Sequence, residues 1–143
     1  MVKRAIAVFD NGSYIEFIQG KETSSVTVRG VVKGLSSGLH GFHIHQYADL
    51  TKPGCMGCGG HFNPLNKPHG GLRDRESHAG DLGNIKNGSV SFRTDKISLY
   101  PGKLSIIGRS LIIHEGTDDL GHSGDPTGKA GKRIFCSVIG IKE

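Results

Sequence analysis

A series of short apolar runs limits what this chain can fold into: "AIAVF", "YIEFI", "VTVRGVV", "GFHIH", "SVSF", "ISL", "SIIGRSLII" and "IFCSVIGI". Each is rich in Val, Ile or Phe and is bounded by Gly, Asn, Asp or Ser, as short strands closed by turns are. No segment sustains a helical period. "IKNGSV" places the two-residue Asn87-Gly88 turn between strand-like flanks, a strong local hairpin signal. The expected fold is all-β, a sandwich or closed barrel. The 143 residues are enough to bury one core, and neither a repeat nor a linker divides them, so residues 1–143 read as a single domain.

Composition excludes several partners. No apolar run approaches the length of a membrane span, so no membrane partner is expected. The opening "MVKRAIAVFD" is too short in apolar residues for a leader peptide, which predicts a cytoplasmic, unprocessed chain. The net charge is +5, but the 18 Lys and Arg are scattered and aromatics make up only 6%. That is no stacking platform or basic stripe, so nucleic acid is not expected either. A general attraction for anions is the safer inference.

Two stretches break the strand rhythm. Gln46 to Gly83 is dense in Gly, Pro, His and Cys, and Glu115 to Arg133 in Gly and Asp. Long loops in a compact domain are usually functional. An apolar core does not hold such loops, which leaves a metal or a disulfide. In "GFHIHQYADL", His43 and His45 alternate with Phe42 and Ile44, so on a strand both imidazoles leave one face. His61, His69 and His78 punctuate the first long loop, Asp81 follows, and His114 ends a later run. Imidazole suits copper and zinc, and three histidines with one aspartate suit tetrahedral zinc. These seven side chains fall one short of the eight contacts that two four-coordinate ions need. An imidazole donating both ring nitrogens would close the gap, though spacing alone does not assign it.

The segments "GLHGFHIHQYADL", "GGHFNPLNKPHGG", "HAGDLGN", "IIGRSLIIHEGTDDLG" and "GKAGKRIFCSVIGI" closely resemble the eukaryotic-type copper/zinc superoxide dismutase family over nearly the whole chain. The resemblance implies an eight-stranded Greek-key β-barrel with a long zinc and disulfide loop and a shortened electrostatic loop. It implies an antioxidant oxidoreductase that converts superoxide to oxygen and hydrogen peroxide with one copper and one zinc ion. Carried over by residue, copper falls to His43, His45, His61 and His114, and zinc to His61, His69, His78 and Asp81. His61 is then the bridging, proton-carrying imidazole, and Arg133 guides the anion. Asp118 hydrogen-bonds one histidine of each set, and Thr127 narrows the channel. The same resemblance pairs Cys55 with Cys136 and leaves Cys58 a free extra thiol. It implies a homodimer through the "IIGR" turn and the C-terminal strand, and a copper chaperone as a partner.

His40 is expected to hydrogen-bond backbone, and His122 to be solvated. Three other readings compete: a copper- and zinc-binding store, a copper-chaperone-like protein without dismutase activity, and a redox pair in "CMGC". One departure is notable. Between Gly121 and Thr127 the chain has only "HSGDP", with Asp125 as its single acid and Lys129, Lys132 and Arg133 just beyond.

Overall fold

A computed structural model describes residues 2–143. The chain forms β1 (Lys3–Val8), β2 (Tyr14–Gln19), β3 (Val26–Val31), β4 (Leu39–His45), β5 (Asp81–Lys86), β6 (Ser89–Thr94), β7 (Ser110–His114), β8 (Arg133–Val138) and β9 (Gly140–Lys142). A short 3-10 segment, Pro53–Cys58, is the remaining element among the described residues. The strands run antiparallel in one sheet, ordered β8-β7-β4-β5-β6-β3-β2-β1-β9. In the order β7-β4-β5-β6, three consecutive strands are flanked by a fourth that returns beside the first, which is a Greek key. The sheet curls until β8 comes back to β1, where Ser137 Oγ donates to the Val8 carbonyl at 2.6 Å. The result is a nearly closed barrel.

The expected all-β Greek key is therefore present, with nine strands in place of eight. "IFCSVIGI" does not make one strand. It breaks at Ile139, which is fully buried and bonded on both sides to the turn before β7, donating to the Arg109 carbonyl and accepting from Gly108 N–H. Beyond it the chain crosses to β1 and pairs there as β9. The Asn87-Gly88 turn joins β5 to β6, with both φ angles positive (57° and 70°), as the primed hairpin turn requires.

Strand β4 positions the candidate site. Phe42 and Ile44 point into the barrel core beside Phe17, Leu82, Leu111 and Ile113. His43 and His45 leave the opposite face, yet they too are buried, because the two long loops cover that face. The first loop is fastened to the end of β4. Phe62 N–H donates to the Ile44 carbonyl, Ile44 N–H to Gly80, and Gly80 N–H to Phe62, and His45 bridges to His61 across this seam. A Cβ at Gly80 would lie 2.2 Å from the Ile44 carbonyl oxygen, so the approach demands glycine. Arg109 completes the fastening. It donates to the Gln46 carbonyl at 3.0 Å and lies 4.0 Å over the Phe62 ring.

Candidate metal centre

His43 and His45 come from β4, His114 from the bulged end of β7 and His61 from the first loop. Each ring has one nitrogen with no partner: Nδ1 of His43 and Nε2 of His45, His61 and His114. The opposite nitrogens are anchored. His45 Nδ1 donates to the Gly59 carbonyl at 2.8 Å, and His114 Nδ1 to Gly131 at 3.0 Å. His43 Nε2 lies 2.5 Å from Asp118 Oδ2. A carbonyl only accepts, so these contacts put the protons on the anchored nitrogens and leave lone pairs on the orphaned ones. The donor atoms of the four rings lie within 4.8 Å of one another. Four buried acceptors converging without a donor carry a large desolvation cost, and a cation is the group that relieves it.

Burial keeps these rings neutral. It pushes His43 down to about 3, against the hydrogen bond to Asp118. It pushes His45 to about 2 and lowers His61 and His114. Neutral imidazole is the form that binds metal.

A second group forms on the other side of His61. Asp81 Oδ1 is 3.0 Å from His61 Nδ1, 2.9 Å from His69 Nδ1 and 3.3 Å from His78 Nδ1. His61 Nδ1 and His78 Nδ1 are 3.1 Å apart. Three imidazole nitrogens and one carboxylate oxygen thus crowd one point. The other carboxylate oxygen of Asp81 accepts from Gly70 and His78 N–H. Burial would raise Asp81, but the contacts from His61, His69 and His78 outweigh it and hold the carboxyl well below the usual range. Burial likewise opposes a charged His69, yet its hydrogen bonds to Asp118 and Asp81 raise it to about 9.

His61 belongs to both groups, with Nε2 facing the first and Nδ1 the second. Asp118 links them again, since Oδ2 meets His43 and Oδ1 meets His69 Nε2 at 2.7 Å. His43, His69 and Asp118 also cluster, but the ring nitrogens that meet Asp118 are the ones turned away from the two donor groups. Asp118 is itself clamped by Asn84, which accepts from its N–H at 2.8 Å and donates to its carbonyl at 3.0 Å. Gly128 passes over this carboxylate at φ +70°, where a Cβ would stand 2.0 Å from Asp118 Oδ1.

An open cleft of about 570 Å³ leads to the first group, lined by His45, Met56, His114, Thr127, Lys129 and Arg133 among others. Arg133 is half-buried in its wall and donates to the Cys55 carbonyl at 3.0 Å. Thr127 is exposed at the rim, its hydroxyl tied to Asp125. Cys55 and Cys136 form a disulfide, which removes the "CMGC" redox pair, and Cys58 is free and buried. His40 contacts the carbonyls of His114 and Ser36, and His122 is exposed. Sequence reasoning missed the Gly59 and Gly131 carbonyls, the Asn84 clamp and Lys96, which reaches three oxygens of segment 77–81. None carries a spacing signal, since each acts across the fold.

The donor sets fit the two ions the resemblance implies: four neutral imidazoles suit copper, and three with a carboxylate suit zinc. A family model described as copper/zinc superoxide dismutase matches residues 12–139. The extracellular Cu-Zn superoxide dismutase of Onchocerca volvulus is 47% identical over 97% of this chain and 76% of its own length. Superoxide dismutase 4 of Dictyostelium discoideum is 47% identical over 97% of this chain and 94% of its own. The extracellular enzyme of Brugia pahangi is 47% identical over 96% and 75%. Two relatives of this similarity are named extracellular, which overturns the cytoplasmic location expected from the opening residues. Compartment is set by targeting, and a barrel of this kind carries no mark of it. With a match across 12–139 and relatives near half identity over almost its full length, this chain belongs to the copper/zinc superoxide dismutase family.

Proposed function

We propose that this protein dismutates superoxide at His43, His45, His61 and His114, with His61, His69, His78 and Asp81 holding a second, structural ion. Two superoxide anions and two protons give one oxygen and one hydrogen peroxide. Copper in the first set supplies one-electron exchange, and zinc in the second supplies fixed charge without changing oxidation state. The remaining work falls to the chain. Arg133 and the neighbouring Lys129 and Lys132 draw the anion down the cleft. Nε2 of His61, partnerless and grouped with the ring nitrogens of His45 and His114 that line the cleft, takes up and returns a proton. Asp118 and Asn84 fix the ring planes of His43 and His69, and Thr127 narrows the mouth. The observation that carries this reading is the convergence of four orphaned, buried ring nitrogens beneath an open cationic cleft. A metal store has no need of such an approach, and a chaperone-like domain has no need of the complete first set. Metal analysis with a superoxide assay tests it: copper and zinc in equal amounts, with activity that follows copper.

Steering has its own test. Arg133→Ala should cut kcat/KM about tenfold at low salt with both metals retained, and Arg133→Glu should cut it further. Rates should fall as salt rises, because charges are screened over about 8 Å at physiological ionic strength. A wild-type rate indifferent to salt would mean that the shortened loop has lost the steering field.

Two further parts belong to the same reading. A homodimer is supported by Ile141, 80% exposed, and Ile107, which line one shallow groove near the "IIGR" turn. Ile106 and Ile139, the alternate residues of the same turn and C-terminal run, are fully buried in the core. Light scattering at micromolar concentration should give twice the chain mass. The disulfide and the two extracellular relatives support an oxidising compartment, with a copper chaperone as the donor on the way there.

A further inference from the structure

Lys96 lies in the turn after β6, away from both donor sets, yet its ammonium reaches the segment that feeds the second. Nζ donates to Ser77 Oγ at 2.9 Å, to the His78 carbonyl at 3.2 Å and to the Asp81 carbonyl at 2.7 Å. An ammonium has three protons, and all three acceptors lie within five consecutive residues that carry two of the four donor side chains. The opposite side of the segment is drawn inward, where His78 N–H donates to Asp81 Oδ2 at 2.8 Å. The carbonyls of residues 78 and 81 are thus turned out towards Lys96, and their side chains face the donor point.

We infer that Lys96 is a positioning residue for the second metal set, holding segment 77–81 in its binding shape from the barrel side. This rests on the zinc reading above. The sign of its effect is informative. A cation repels a divalent ion, so charge alone would make Lys96 weaken metal binding. Orientation of ligands by hydrogen bonds works the other way, and loss of such partners commonly costs 10- to 100-fold in metal affinity.

Lys96→Met keeps the apolar stem and removes all three donors. Whole protein, wild type and variant, would be stripped and titrated with zinc against a chelator, then with Co(II) as a visible probe of ligand geometry. Zinc affinity should fall about tenfold or more, and the Co(II) absorption bands should shift or broaden, while copper uptake by the first set is retained. Ser77→Ala removes one acceptor together with the hydroxyl's own bond to the Asp74 carbonyl, should give a smaller loss of the same kind, and should add less in the Lys96→Met background than it costs in wild type. If Lys96→Met does not fold, Ser77→Ala alone decides: unchanged zinc affinity and Co(II) bands overturn the inference. Zinc affinity in Lys96→Met that is unchanged within twofold, or that rises, also overturns it. A wild-type chain that takes up no zinc overturns the metal reading as well, which separates the two failures.

Discussion

Replacing His114 with alanine should reduce dismutation to the level of the metal-free protein, with copper lost and zinc retained. His114 supplies Nε2 to the first donor set and nothing to the second. Its ring is pinned by the Gly131 carbonyl at 3.0 Å, and no contact joins it to His69, His78 or Asp81. Deleting it removes one of four converging nitrogens and widens the approach. The reciprocal variant, His69→Ala, strikes the second set and should release zinc first. His61→Ala should weaken both sets together, because its two nitrogens face different donor groups. Elemental analysis of the three variants beside a superoxide assay reads the pattern. Full activity in His114→Ala would sink the assignment of the first set.

Removing the disulfide should be the largest single blow to stability. Cys55 and Cys136 are separated by 81 residues. The chain-entropy model gives about 4.5 kcal/mol for closing a loop of that size. For a chain of this length, that corresponds to a fall in Tm on the order of 10–20 °C. The effect should reach the cleft, because the Cys55 carbonyl is the acceptor that holds Arg133. Cys136→Ser should therefore lower both Tm and kcat/KM. Scanning calorimetry is the direct check, and a Tm within two or three degrees of wild type would contradict it. Cys58 is fully buried, so a thiol reagent should leave it untouched in the folded protein and label it on unfolding.

The strand pattern was legible because a period of two survives burial. Phe42 and Ile44 face the core and His43 and His45 the covered side, as the alternation requires. The Asn87-Gly88 hairpin was legible because few other residues accept two positive φ angles in succession. The ninth strand was not, since the break at Ile139 depends on a free edge of β1 that is remote in sequence, where Gly140 meets Ile6. "ISL" likewise reads as a strand but forms only a single bridge, Ser98 to Ser105. At the site, spacing gathered the seven candidate ligands, and family resemblance divided them. The groups that orient them were invisible for a physical reason: the Gly59 and Gly131 carbonyls have no side chain to notice. Asn84 and Asp118 are 34 residues apart and meet only in the barrel.

Strands β8 and β9 adjoin in sequence and stand at opposite ends of the sheet order, with Ile139 alone between them. The barrel is thus finished by the chain itself, which acts as a hinge pin across the last gap. A pull on the C-terminus would unzip β9 from β1 at only three residue pairs and then stop at the buried Ile139. Cargo fused after Glu143 can therefore loosen the final strand without disturbing β8, whose other neighbour carries His114. Cutting the chain between Val138 and Gly140 would leave that edge held by β7, the disulfide and the side-chain bonds of Arg133 and Ser137.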